Sequence, residues 1–338
     1  MNIKEQYRNK ITQWSAEDEG RHFLEIDQKI RFLADQLYLD YEPTFGPFPD
    51  FISRLASWVF NVDDEEDQKL LLTLVPKIFY VGREEFNCLH RTAFNSHIVP
   101  WLVENGDRKF EDILYESDLE NAISQTWFCP VTDSFRINQF YHLNQISSKH
   151  TFRPDWRSLT KFGDSQKIIE YIRINNVKNL VLLEDFVGSG GQASSPIKFA
   201  CQLLEDVKSK IGWEVRILFL PMIICPKGFD HINNTVVWQY NELLSFKPII
   251  RIGETDVIND DSIKLNHQLN PYAELMKRQF AKVLGSSTSG EHKKLSEFGY
   301  KNTGGTVVMF TNTPNNSLPV IFVESDTWSP LFKRHSRD

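Results

Sequence analysis

The segment Asn179–Ala200, NLVLLEDFVGSGGQASSPIKFA, restricts the fold more than any other part of the chain. An apolar run, Leu180–Leu183, ends in two adjacent carboxylates, Glu184 and Asp185. Phe186 and Val187 follow, then Gly188-Ser189-Gly190-Gly191-Gln192 and a stretch of helical character. That order reads as strand, tight loop, helix. Glycine takes positive φ at no steric cost, so such a loop turns sharply and lets a ligand approach the backbone closely. A helix starting there aims unpaired N–H groups and its positive dipole end at an anion, and Ser189 adds a hydroxyl. The acids ahead of it suit two vicinal hydroxyls, or help position Mg²⁺. A plain strand-to-helix turn with surface acids beside it would use the same glycines, but the whole combination at this spacing predicts a site for a phosphorylated ribose.

Around this segment, short apolar runs alternate with helical stretches. Strands are expected at Trp127–Val131, Leu180–Leu183, Val215–Ile224, Thr235–Trp238, Pro248–Ile252 and Thr306–Phe310, with helices near 164–175, 194–211 and 271–284. Strands separated by helices imply βαβ units and a mainly parallel sheet. Before residue 123 the pattern is helical throughout, as in Phe23, Ile26, Ile30, Leu33 and Leu37, with no strand expected. Other apolar faces lie in Pro49–Phe60, Leu70–Phe79 and Glu84–Val103, among the breakers Gly82, Pro100 and Gly106. The predicted division is a helical domain, 1–122, and an α/β domain, 123–338. Gly285–Gly290 is expected to be a flexible polar loop.

The net charge of -7 does not suggest a surface coated for nucleic acid. No apolar run approaches the roughly 18–20 residues a bilayer span needs, and the opening MNIKEQYRNKITQW is too charged for a secretory signal. Cys88, Cys129, Cys201 and Cys225 form no CxxC pair and read as reduced thiols. A cytoplasmic protein that does not engage a membrane is the expectation, and the oligomeric state is left open.

The strand, acid pair and glycine loop resemble the phosphoribosyltransferase signature. The resemblance implies that Glu184 and Asp185 hold the ribose hydroxyls of phosphoribosyl pyrophosphate (PRPP), and that Gly188, Ser189, Gly190, Gly191 and Gln192 hold its 5′-phosphate. Gly188 and Gln192 stand where that family commonly has Thr, so the loop carries fewer hydroxyls than usual. Those enzymes also use a pyrophosphate loop after an early strand. Cys129-Pro130-Val131-Thr132-Asp133-Ser134-Phe135-Arg136 occupies that place. Thr132, Asp133 and Ser134 read either as a cap for the next helix or, with Arg136, as contacts to pyrophosphate or its Mg²⁺, which Asp185 would help hold through the substrate. No basic flexible loop is evident.

A second series is similar to the phosphoribosyltransferase-like (PRTase-CE type) effectors of bacterial conflict and anti-phage systems, of the kind associated with retrons. It comprises Gly299-Tyr300-Lys301-Asn302-Thr303-Gly304, Asn312-Thr313-Pro314-Asn315-Asn316-Ser317-Leu318-Pro319 and Trp328-Ser329-Pro330-Leu331-Phe332-Lys333-Arg334. The resemblance implies a Rossmann-type, mainly parallel sheet with an N-terminal all-α domain and a C-terminal hood. In that hood Asn302, Asn315, Asn316 and Arg334 would line the site, although Asn-rich turns also simply end strands. It further implies glycosyl transfer or hydrolysis at the anomeric carbon of PRPP or a related nucleotide, in a toxin effector partnered by a retron reverse transcriptase with its RNA and DNA. Two other readings compete. One is a catalytically inactive nucleotide sensor held by such a partner. The other is an S-adenosylmethionine methyltransferase, whose glycine loop Asp185-x-x-Gly188-x-Gly190-Gly191 resembles more weakly, since the next strand ends in Cys225-Pro226-Lys227 and not in an acid.

His90 and His97 share a helix face without a third ligand and read as packing histidines. Arg83, Arg91, Lys333, Arg334 and Arg337 read as solvated cations, and Trp127, Trp156, Trp238 and Trp328 as core or hood packing. Neither a G-x-S-x-G elbow nor a P-loop motif occurs.

Overall fold

The structure is a computed structural model that describes residues 2–43, 50–105, 116–147, 165–286, 290 and 292–335. Trp156, Arg337, Gly106 and residues 287–289 of the Gly285–Gly290 loop lie outside the described residues. Strands run in chain order as β1 Phe79–Val81, β2 Thr126–Pro130, β3 Asn179–Val187, β4 Arg216–Ile224 and β5 Leu244–Phe246. They continue with β6 Ile250–Arg251, β7 Leu295–Ser296, β8 Gly299–Tyr300 and β9 Val307–Met309. The chain forms two compact units, Met1–Arg83 with Gly253–Asp338, and Glu84–Ile252. The cut expected after residue 122 falls inside the second.

The unit 84–252 holds a parallel sheet in the order β2-β3-β4-β5, with β6 also paired to β4. Residues 180–185 and 217–224 are buried without a break, as strands covered on both faces require. Against one face pack helix Ser165–Ile174, through Ile168, Ile169 and Ile172, and helix Gly191–Ile211, through Ile197, Ala200, Leu204 and Val207. Gly212, at φ 66°, stops the longer helix in the left-handed conformation that ends so many helices. Helix, parallel strand and helix alternate as predicted, and no helix among the described residues is long and apolar enough to cross a membrane.

Three local expectations fail, each for a physical reason. Thr235–Trp238 is no strand: Asn233–Val237 continues helix Pro226–Ile232 in widened π turns, which turn Val236 into the core and leave Trp238 81% exposed. Packing overrides the β-branched run, and the strand beside β4 is Leu244–Phe246 instead. Pro100 does not break its helix, because the turns before it widen over Ala93–Ile98 and absorb the missing N–H. A strand also precedes residue 123, since β1 pairs in parallel with β9. Three residues are too few to show alternation, and the partner lies near the other end of the chain.

In the other unit, the stripe along Arg21–Gln36 buries Phe23, Ile30 and Ala34 beside helix Ile3–Ser15. Asp27, buried on that stripe, accepts from Tyr7 Oη at 2.8 Å and pairs with Arg31 at 2.7 Å. The C-terminal series predicted as a hood packs with these N-terminal elements. Phe332 sits edge-on to Tyr38 and Tyr41, and Trp58 Nε1 donates to Val320 O at 2.6 Å. Trp328 is buried here as Trp127 is in the sheet unit.

His90, on helix Arg83–Thr92, has no exposed surface. Its ring stacks on Phe135 at 5.1 Å and meets Phe86 edge-on at 4.7 Å, and neither ring nitrogen has a hydrogen-bond partner among the described residues. Burial pushes its pKa down to about 4. The unfolded chain binds this proton from about pH 6.5 downward and the folded one does not, so stability is full above pH 6.5 and falls as pH drops toward 4. Urea unfolding of wild type and His90→Leu should therefore diverge on acidification, the variant gaining about 3 kcal/mol relative to wild type between pH 7 and 4. An unchanged difference across that range would place the proton elsewhere.

Candidate functional site

At the carboxyl ends of β2 and β3 the last ladder bond runs from Val131 N–H to Leu183 O, at 2.8 Å. Beyond it the chain passes over the acid pair. Thr132 donates its backbone N–H to Glu184 Oε2 at 2.9 Å and its hydroxyl to Glu184 Oε1 at 2.7 Å. Ser134 Oγ bonds Asp185 Oδ1 at 2.9 Å, which also accepts the Phe186 N–H at 2.8 Å. Both acids are only 4% exposed. Successive side chains on a strand point to opposite faces, so a single segment serves both only by crossing the strand's end. Buried carboxylates are tolerated where donors meet them, and these donors come from the loop after the neighbouring strand.

The alternative in which Thr132, Asp133 and Ser134 cap a helix does not hold. The next helix, Ile137–Leu143, has Arg136 at its N-cap and no side-chain cap. Phe135 turns inward onto His90, while Asp133 and Arg136 are exposed beside it.

After β3 the loop Gly188–Gln192 turns into helix Gly191–Ile211. Gly190 is its N-cap, at φ 79°, and offers no side-chain acceptor, while Ser194 N–H closes the first turn on Gly190 O at 2.9 Å. Gly188 and Gly190 are buried, Ser189 and Gly191 half-buried and Gln192 exposed. An uncapped helix start fronted by glycine is a shape suited to an anion.

One wall of this loop was not anticipated. Helix Pro226–Ile232, directly after β4, seats Gly228 and His231 against it. A Cβ on Gly228 would stand 2.6 Å from Gly188 O, and one on Gly190 would stand 2.9 Å from His231 Cδ2. His231 Nε2 also lies 3.3 Å from Ser194 Oγ. Neither residue belongs to a motif, and Gly228 two positions after Pro226 is the one faint sign that a close approach is needed there.

The remaining candidates have partners of their own. Asn315 and Asn316 belong to the first unit, where Asn316 Nδ2 donates to Thr303 Oγ1 at 3.0 Å and to Tyr300 O at 3.2 Å. There too Arg334 donates to Thr313 O at 2.6 Å, and Asn302 sits at positive φ in a turn. Arg83 pairs with Glu42 and Lys333 with Glu324. Burial pushes the Cys201 and Cys225 thiols up to about 12, which makes them poor nucleophiles. Among the described residues no three His, Cys, Asp or Glu side chains gather as a metal site.

A family model described as PRTase-CE matches residues 55–334. No curated protein matches the chain, and no solved structure does.

Gly190→Ala imposes a left-handed conformation on an L residue and drives a methyl into His231, so it should lower stability by about 1–2 kcal/mol in urea unfolding. Ala at Gly212, also left-handed but with open space around it, should cost less, since it carries the strain without the clash. Equal losses would mean that the packing of His231 against the loop contributes nothing.

Proposed function

The chain belongs to the PRTase-CE family, and from that premise we propose that the unit 84–252 binds PRPP or a related ribose-phosphate nucleotide and transfers or hydrolyses at its anomeric carbon. The observation that carries this reading is the meeting of Glu184 and Asp185 with the Thr132–Ser134 segment, beside the uncapped glycine loop 188–192. In a phosphoribosyltransferase those three elements serve the ribose, the pyrophosphate and the 5′-phosphate. Glu184 and Asp185 would hold the two ribose hydroxyls, and the first N–H groups of helix Gly191–Ile211 with Ser189 would hold the phosphate. Thr132, Asp133, Ser134 and Arg136 would face the pyrophosphate.

Departure of pyrophosphate leaves an oxocarbenium-like ribose, so such a site acts by orienting the sugar, balancing charge on the leaving group and excluding water. Asp185, Thr132 and Ser134 are hard oxygen donors of the kind Mg²⁺ prefers, and Asp185 would hold the ion jointly with the ligand's phosphates. Bound there, the ion would neutralise the pyrophosphate.

A second reading keeps the pocket and drops the chemistry. The loop carries a single hydroxyl, on Ser189, and both acids are already satisfied by the protein's own donors. Those observations favour a nucleotide sensor, held by a reverse transcriptase–nucleic acid partner as the resemblance to retron-associated effectors suggests. In either case we place the protein in anti-phage defence, in the cytoplasm. The methyltransferase reading lacks its ribose acid, because β4 leads into Cys225-Pro226-Lys227.

Isothermal titration of PRPP, with and without Mg²⁺, into wild type and Glu184→Gln/Asp185→Asn tests the reading. The expected result is saturable binding to wild type, weakened at least tenfold, about 1.4 kcal/mol, in the variant. Absence of binding to folded wild type would sink the PRPP assignment. Binding without turnover of PRPP would favour the sensor.

A further inference from the structure

The contacts that satisfy the acid pair form an unusual set. Thr132 Oγ1 lies 2.7 Å from Glu184 Oε1, Ser134 Oγ lies 2.9 Å from Asp185 Oδ1, and the two hydroxyl oxygens lie 2.6 Å from each other. Two hydroxyls in mutual contact, one on each of two neighbouring carboxylates, is the pattern a cis vicinal diol of a furanose presents. Each hydroxyl carries one proton, so two protons serve three contacts while both acids are ionised. When both protons point at carboxylates, the oxygens face each other lone pair to lone pair. A ribose diol holds its oxygens at such a separation through covalent bonds, whereas the loop must hold them there against that repulsion.

The geometry points to Thr132 and Ser134 as place-holders for the substrate's diol. They cap the acid pair while the site holds no sugar, and the incoming ribose displaces them. This inference rests on the ribose-phosphate reading above and adds to it a source of specificity. A sugar phosphate that displaces the hydroxyls leaves them without acceptors, unless it brings its own. PRPP does, because its pyrophosphate leaves from the carbon next to the diol. Ribose 5-phosphate does not. The same two side chains thus oppose every ligand at the acids and compensate only the one that carries pyrophosphate. His90 stacks on Phe135, the next residue along, and so fixes the place from which the hydroxyls must move.

The test is a titration of ribose 5-phosphate and of Mg²⁺–PRPP into wild type, Thr132→Val/Ser134→Ala and Ser134→Ala. The double variant keeps the Thr132 backbone N–H on Glu184, and the single variant, which leaves both Thr132 bonds to Glu184 in place, serves if the double one does not fold. Removing the cap should tighten ribose 5-phosphate by roughly three- to tenfold, the worth of one or two hydrogen bonds, and lower the preference for PRPP over ribose 5-phosphate by a similar factor. Ribose 5-phosphate bound no more tightly by folded variants, with PRPP still bound by wild type, would overturn the place-holder assignment and leave the ribose-phosphate reading standing. Failure of every protein to bind either ligand would remove both.

Discussion

Two carboxylates buried on consecutive residues of a parallel strand must find hydrogen-bond donors without leaving the sheet, and much of the 84–252 unit is arranged around that requirement. The donors are delivered by the connection after β2, which has to be in register with β3 to arrive there. Trp127↔Leu180 through Pro130↔Leu183 supply that register, and Val131 makes the last ladder bond before the chain turns over the acids. Side chains on either side hold the segment in place, with Phe135 sunk against His90 and Phe140. The acids therefore tie two strand ends and a helix-borne aromatic cluster into one assembly, at a cost that a Leu pair would not incur. Retaining them makes sense where another molecule uses them.

The glycine loop is held by a different rule, that of close approach. Val187 and Ile224 are partners across β3 and β4, so the chains leaving these strands start side by side. One becomes the loop 188–190 and the other the helix carrying Gly228 and His231. Side chains larger than hydrogen at 190 or 228 would part them. The helix after β4 thus sets how tightly the glycine loop is wound, although it contributes nothing to the motif by which the loop is recognised.

The strand, acid pair, loop and helix were legible because every signal there is local: an apolar run of fixed length, two charges, a cluster of glycines and a helical period, all inside 22 consecutive residues. The parallel sheet followed from alternation of such runs. What could not be read depends on distant partners. β1 is three residues whose mate is β9, and Thr235-Val236-Val237 has strand-like side chains that the core instead takes up on a π-helical turn. Thr132 and Ser134 look like helix-capping residues in sequence, and only the register of β2 against β3 shows that their hydroxyls are spent on Glu184 and Asp185. His231 was missed for the same reason, since its neighbour Gly190 is 41 positions away.

The division of the chain bears on the order in which it acquires structure. One unit is continuous, from Glu84 to Ile252, whereas the other joins the first 83 residues to the last segment from Gly253 onward. During synthesis the sheet's strands all emerge before β9 does. Tyr38 and Tyr41 precede the sheet in the chain, whereas Phe332, which packs edge-on to both, follows it. Closing that unit in an unfolded chain would require a long loop to form, with its entropy cost. A sheet that folds while the ribosome is still working shortens the loop in advance, by drawing residues 84 and 252 into one compact body. The unit that carries the candidate chemistry would then also be the clasp that lets residues 1–83 and 253–338 find each other.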